Sequence, residues 1–422
     1  MQKLSPRLWF TLILVGLMGQ FAWTIENMYL NVFLYNTIST DPGYIAAMVA
    51  WSAVAATVTT LLMGVASDRL GRRKPFICGG YLLWGVSTAA FGFITVENAA
   101  HLFPAASAAA AAAILVILLD CVMTFFGSTA NDAAFNAYVT DQIPDDRRGR
   151  VESVLAVLPL VSMLIIFGLF DGMTQAGCWK EFFLIFGGLV TLTGLIACFL
   201  LPEAPVAKKK EPFWRQLAYG FRPSVIQSHG ALYLSLGAMC VFSIAVQVFF
   251  PYLIIYMQHY LQMDNYAIVL GVVLVAASVV SVLGGKWIDK WGACRFAFPA
   301  GVLMLLGLLA MYFARGMAFV MAAGSVMMSG YMLLTAALTA QIRTLTPPDK
   351  AGHFQGIRMI FGVMLPMIIG PAIGAAVIRG NAQTYVELGQ VKTVPTPGIF
   401  LAAGAVLLLL IVPVTLLRRK EV

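Results

Sequence analysis

Long apolar runs alternate with short polar breaks along the whole chain. Twelve of these runs reach the length of about 20 residues that a helix needs to cross a bilayer. Their approximate bounds are 8–36, 44–66, 76–95, 105–138, 151–170 and 181–201, then 228–258, 266–285, 296–314, 317–341, 354–378 and 397–417. The sixth run ends at Leu201-Pro202, and a polar stretch containing Lys208-Lys209-Lys210 separates the first six from the last six. The pattern predicts an all-α membrane protein with twelve transmembrane helices. Its expected parts are a six-helix bundle at 1–202, a linker at 203–227 and a second six-helix bundle at 228–422.

Composition sharpens this picture. Of 422 residues, 60% are hydrophobic and 11% charged, whereas soluble chains carry roughly a quarter charged residues. So few charges cannot cover a water-facing shell. Lys and Arg are also unevenly placed. With the N-terminus in the cytoplasm, 22 of the 27 fall on the cytoplasmic side; Lys180, Arg315, Arg379 and Lys392 fall outside, and Arg358 lies within a span. The positive-inside rule then puts both termini in the cytoplasm. The net charge of +8 marks topology rather than nucleic-acid binding. The first apolar run is too long for a signal-peptide core and is expected to remain as the first span. Six cysteines lack metal-ligand spacing and imply no disulfide framework. His101, His229, His259 and His353 lie in or beside loops. No enzymatic constellation, cofactor or metal is expected.

Two loops repeat. Gly64, Asp68, Arg69 and Gly71, after the second span, map onto Gly285, Asp289, Lys290 and Gly292 after the eighth at a constant offset. Pro144, Asp146, Arg147 and Gly149 similarly echo Pro347, Asp349, Lys350 and Gly352. Two echoes at corresponding places indicate a duplicated six-helix unit. The segment Gly64-x-x-x-Asp68-Arg69-x-Gly71-Arg72-Arg73-Lys74 resembles the loop signature of the major facilitator superfamily. That resemblance implies two pseudo-symmetric six-helix bundles and solute transport by alternating access, with spans 1, 4, 7 and 10 supplying most contacts to the solute. Gly64 is expected to allow close helix approach and Gly71 a tight turn. Asp68, with Arg69, Arg72, Asp289 and Lys290, is expected to form a conformational latch by ion pairing or by facing a helix N-terminus.

Three carboxylates interrupt the spans: Glu26 in the first, and Asp120 and Asp132 in the fourth. A charge at the bilayer centre costs about 2.5–3.5 kcal/mol on insertion scales, so each is a functional candidate. Loss of water favours the uncharged form of a carboxyl, which suits proton uptake and release. In an α-helix, Gln20, Thr24, Asn27 and Asn31 share one face and Glu26 points away from it, nearer Trp23. Asp120, Thr124 and Asn131 share a face of the fourth span, with Ser128 and Asp132 beside it. Gln247 and Tyr252 flank Pro251, an expected kink, and could bind hydroxyls. Arg358 can pair an anion or snorkel to the interface. Gly370-Pro371-Ala372-Ile373-Gly374 permits close helix approach, and the Met327-Met328 to Met332 tract suits packing.

The run Gly19 to Leu30 and the segment Asn131-Asp132 to Asp141 resemble the first and fourth helices of glycoside–pentoside–hexuronide carriers and sucrose transporters. The resemblance implies Glu26 and Asp132 as ligands of sugar hydroxyls. Melibiose-type sodium symporters carry two acids on the second helix, where this chain has about Ala56 and Thr60. Proton coupling through Glu26, Asp120 or Asp132 is therefore expected rather than sodium coupling, with uncoupled facilitation as the alternative. The substrate-binding set is Gln20, Trp23, Glu26, Asn27, Asn131, Asp132, Gln247 and Tyr252. The expected protein is a monomeric proton–sugar symporter of the bacterial inner membrane, with lipid around it. A proton-coupled exporter of drugs or lipids and a non-transporting membrane sensor are the alternatives. The absence of a Gly-Pro pair from the fifth span, which has only Pro159, weighs against the drug antiporters.

Overall fold

A computed structural model describes residues 6–104, 107–142, 145–202, 221–347, 351–380, 383–387 and 390–421. Among the described residues, twelve helices are long and apolar enough to cross a membrane. In chain order they are α1 Pro6–Ile38, α2 Pro42–Leu70, α3 Lys74–Phe93, α4 Ala108–Val139, α5 Val157–Gln175 and α6 Trp179–Leu200, followed by α7 Gly230–Tyr260, α8 Tyr266–Gly284, α9 Ala293–Phe313, α10 Met317–Leu345, α11 Gly356–Gly380 and α12 Gly398–Arg418. Internal contacts divide the chain into unit 1, Met1–Ser39 with Trp51–Glu211, and unit 2, Thr40–Ala50 with Pro212–Val422.

The sequence misjudged some boundaries for identifiable reasons. The fourth span starts at Ala108, and a separate short helix, Val96–Leu102, stands before it. Thr95 caps that helix by accepting the Asn98 N–H at 3.1 Å, a local signal that hydropathy does not register. Between α11 and α12 lies a hairpin that the apolar pattern did not suggest, β1 Gln383–Glu387 and β2 Gln390–Val394. It is antiparallel, with Gln383 opposite Val394.

Helix irregularities follow from the residues. The start of α2 combines two signals: Pro42 stands at its first position, where a missing N–H costs nothing, and Asp41 accepts the Gly43 N–H at 2.8 Å. Pro251 tightens Phe250–Tyr252 into a 3₁₀ turn within α7, at the expected kink. Wide π-helical turns occur at Ile25–Tyr29 in α1 and Ser128–Phe135 in α4, and neither was anticipated.

Unit 1 packs around aromatic side chains from α1, α3 and α6. Tyr29 lies 5.3 Å from Phe182 and Phe33 lies 5.1 Å from Phe183, centroid to centroid. At Gly85 of α3, the backbone meets α6 so closely that an added Cβ would collide with Thr191. In unit 2, a Cβ on Gly370 would sit 2.5 Å from Gln247 Cβ, which bears out the close approach expected of the Gly-Pro motif in α11. Met327 and Met328 are buried, as packing residues should be.

The loop after α2 departs from one expectation. A Cβ at Gly64 would meet nothing within 4 Å, so Gly64 does not mediate a close helix contact. Gly71 does make a tight turn, with φ +67°. Its counterpart Gly292 has φ +82°. Gly71 N–H donates to Ser67 O at 3.1 Å, and Gly292 N–H donates to Ile288 O at 3.0 Å. The duplicated loops thus share a left-handed helix stop, a conformation that favours glycine. The other echoed pair of loops includes Pro144, Asp349 and Lys350, which lie outside the described residues.

Candidate functional site

The wide turn in α1 changes the geometry expected from an unbroken α-helix. Leu30 N–H reaches Ile25 O, five residues back, so the register slips there. The polar stripe is split as a result: Gln20 and Asn27 are half-buried, whereas Thr24 and Asn31 are buried. Three of its side chains bond their own helix. Thr24 donates to Gln20 O, Asn27 to Trp23 O and Asn31 to Asn27 O, each at 2.8 Å.

Glu26 lies in the same turn and is 7% exposed. Its Oε1 accepts from Ser52 Oγ of α2 at 2.7 Å and from Thr124 Oγ1 of α4 at 2.9 Å. Ser52 Oγ and Thr124 Oγ1 are themselves 2.8 Å apart. Asp120, one turn before Thr124, is 1% exposed and interacts with both Glu26 and Ser52. Glu26 Oε2 and Asp120 Oδ1 are buried without a hydrogen-bond partner. Two carboxyls and two hydroxyls from three helices thus share a small buried volume of unit 1.

Asp132 stands apart from this group. It is half-buried and accepts from Ser128 Oγ at 3.1 Å. Trp23, also half-buried, packs on Trp84 of α3 at 5.0 Å between centroids, and the Trp84 Nε1–H is buried without an acceptor. Gln20, Trp23, Asn27 and Asp132 are the partly open polar positions of unit 1 among the residues expected to bind solute.

Two expected ligands are committed elsewhere. Asn131 is buried, fills the space beside Gly19 and donates to Tyr81 Oη at 3.4 Å, while Tyr81 donates to Val15 O at 2.7 Å. It joins α1, α3 and α4 rather than presenting an amide to solute. Tyr252 is fully buried, and its hydroxyl faces the carbonyls of Pro371 and Pro42 at 2.9 and 3.2 Å. With its only proton taken up by backbone, it has a structural role. Gln247 is half-buried against Gly370, and Arg358 is exposed.

The ion pairs at the signature loop centre on Arg73. This buried guanidinium pairs with Asp68, and its Nε lies 3.1 Å from Asp141 Oδ2, all within unit 1. Arg69 and Arg72 are exposed. In the second copy, Lys290 is exposed and the Asp289 side chain lies outside the described residues. The position corresponding to Arg73 is Cys294, also buried, so the second copy carries no guanidinium there.

Sequence reasoning missed Ser52, Trp84, Arg73 and Asp141. Ser52 had a readable signal, since α2 lacks acids before Asp68 but places Thr59 and Thr60 seven and eight residues after Ser52, on one face. Arg73 had none, because spacing cannot tell which member of Arg72-Arg73-Lys74 turns inward.

A sequence model described as the Major Facilitator Superfamily matches residues 12–371, with a second, overlapping match at 238–422. The chain belongs to the major facilitator superfamily. Among solved structures, this superfamily member resembles a mutant form of the nucleoside transporter NupG with a TM-score of 0.74 at 12% identity, covering 97% of this chain and 99% of NupG. It also resembles the xylose transporter XylE from E. coli, in a partially occluded inward-open conformation, with a TM-score of 0.67 at 14% identity, covering 96% and 97%. A search of curated proteins returns no match. At these identities the structural likeness establishes a shared fold. The protein is therefore an integral, multi-pass membrane member of the superfamily.

Proposed function

We propose that the protein is a secondary active transporter that carries a sugar or glycoside by alternating access, in symport with a proton, across the bacterial inner membrane, with both termini cytoplasmic. Glu26 and Asp120 would carry the coupling proton. Asp132, with Gln20, Trp23, Asn27 and Glu26, would face the solute. The xylose and nucleosides named for the structural neighbours are hydroxylated solutes as well, and both belong in a substrate screen.

The observation that carries this reading is a proton count. Glu26 Oε1, Ser52 Oγ and Thr124 Oγ1 form a triangle with edges of 2.7, 2.8 and 2.9 Å. Each edge is short enough to need a proton, and the two hydroxyls supply two. Ser52 also bonds Asp120, which makes a fourth contact, and the carboxyls of Glu26 and Asp120 supply the remaining two protons when both are protonated. Each carboxyl that ionises leaves one contact bare between oxygens, which favours a rearrangement of the contacts between α1, α2 and α4. Proton occupancy and helix packing are linked in this way. One elementary charge moving through 100 mV is worth about 2.3 kcal/mol, roughly fiftyfold in solute ratio.

The test is uptake by proteoliposomes under an imposed pH gradient, with xylose, disaccharides and nucleosides as candidate solutes. The wild type should accumulate one of them. Asp120→Asn should lose accumulation while retaining exchange of that solute across the membrane, whereas Asp132→Asn should weaken exchange as well. Uptake indifferent to the gradient would remove proton coupling from the reading.

A further inference from the structure

A crevice of ≈ 90 Å³ opens in unit 2 between α9 and α12, away from every residue discussed above. Its walls are entirely apolar, formed by Phe298, Gly301 and Leu305 on one side and Leu407, Leu410 and Val414 on the other. The sequence explains the gap. Pro413 has no N–H to offer the Leu409 carbonyl, and α12 tightens there: Leu409, Leu410 and Val412 bond three residues back, at 2.9–3.2 Å. The helix is broken where it passes α9. On the facing side, Gly301 contributes no side chain; a Cβ there would meet only Leu410, at 3.5 Å. Phe298, Val302, Leu408 and Ile411 are exposed along the opening.

The end of the crevice nearer the chain terminus is polar. Arg418, the last residue of α12, places its guanidinium 5.4 Å from the centroid of the Phe298 ring and donates through Nη2 to Arg295 O at 3.1 Å. Its Nε–H is buried without an acceptor. A span end lies at the membrane interface on either orientation of the chain. The cleft therefore runs from the Arg418 guanidinium at headgroup depth into hydrocarbon. Phe298 to Leu305 covers roughly 10 Å of helix, enough for part of an acyl chain.

We propose that this crevice holds one anionic phospholipid, its phosphate accepting from Arg418 and one acyl chain lying over Gly301. Both features are required. Annular lipid would wet the apolar walls without regard to headgroup, whereas the orphaned Nε–H of the Arg418 guanidinium calls for an anionic acceptor. The site is independent of the transport reading and stands or falls separately from it.

The test is native mass spectrometry of the purified full-length protein, titrated with dioleoyl phosphatidylglycerol or dioleoyl phosphatidylcholine. Wild type should retain the first as a single adduct with about fivefold preference, the scale expected for one basic residue near an anionic headgroup. Arg418→Gln should abolish the preference. Gly301→Val, which has room for its side chain but fills the crevice, should weaken retention of phosphatidylglycerol with Arg418 intact. Equal retention of the two lipids by wild type would overturn the proposal without recourse to any variant. Full preference in Arg418→Gln would do the same, and so would unchanged retention in Gly301→Val, which would leave only surface charge.

Discussion

Glu26 is held by hydroxyls rather than by a cation, and that distinction decides how it should behave. A carboxylate paired with Arg or Lys is stabilised as the anion, whereas Ser52 and Thr124 can donate to an anion or accept from an acid equally well. Glu26→Gln keeps the shape and a donor but fixes the charge at zero. The variant should bind and exchange solute, while accumulation under a pH gradient falls from up to about fiftyfold to the equilibrium ratio of one. Counterflow and gradient-driven uptake, measured on the same vesicles, check both halves of this expectation. At this scale the sequence was informative about which residues are costly in a membrane: Glu26, Asp120 and Asp132 stand out by charge alone. It was poor at saying what they touch. Tyr252 could be read as a ligand of solute hydroxyls or as a belt or packing residue, and its hydroxyl faces the carbonyls of Pro371 and Pro42. Partners so distant along the chain leave no mark on local spacing.

Elements were legible where hydropathy rules and illegible where hydrogen bonding does. All twelve spans follow from length and apolarity, and Pro251 marks the 3₁₀ turn in α7. The wide turns in α1 and α4 did not announce themselves, because neither Ile25–Tyr29 nor Ser128–Phe135 contains proline or glycine. Close packing also makes unequal demands on similar residues. Gly85 faces the α6 backbone at Thr191, while Gly79, earlier on the same helix, has nothing within 4 Å. Gly85→Val should therefore destabilise unit 1 by about 1–3 kcal/mol, the usual range for overpacking, and Gly79→Val should be nearly silent. Thermal denaturation of both variants in one detergent makes the comparison.

At the scale of the whole molecule, the duplicated loops are the clearest agreement between sequence and structure. Equivalent glycines stop α2 and the helix that continues α8 with the same four-residue hydrogen bond, although only the first copy keeps the buried Arg73. Unit 2 carries its own ion pair, where Arg379 Nη2 lies 2.7 Å from Asp41 Oδ1. Burial acts to raise the Asp41 carboxyl, but the hydrogen bonds from Arg379 and Gly43 and the guanidinium charge outweigh it and hold it below its ordinary value of 3.8. A depressed carboxyl contributes stability above its unfolded value and loses it as pH falls through the folded one. The pair's contribution should thus be constant from pH 8 to about pH 5 and vanish only in more acidic solution. Both side chains are about half exposed, so the effect is small. A melting-temperature difference between wild type and Arg379→Gln that varied between pH 6 and 8 would contradict this assignment.

The wide turn at Ile25–Tyr29 amounts to one surplus residue in the middle of a helix whose second wide turn, Leu34–Ile38, lies at its very end. Excising a residue from an ordinary stretch, such as Val15, rotates everything beyond it by about 100° and takes buried side chains out of their seats. Excising Met28 instead lets the surrounding turns close to normal pitch with the flanking segments still in phase. The deletion lacking Met28 should emerge from gel filtration as a single folded species, and the deletion lacking Val15 should aggregate. A chain that tolerates shortening at one spot beside its acidic centre has a place where insertions and losses can accumulate without unmaking the scaffold.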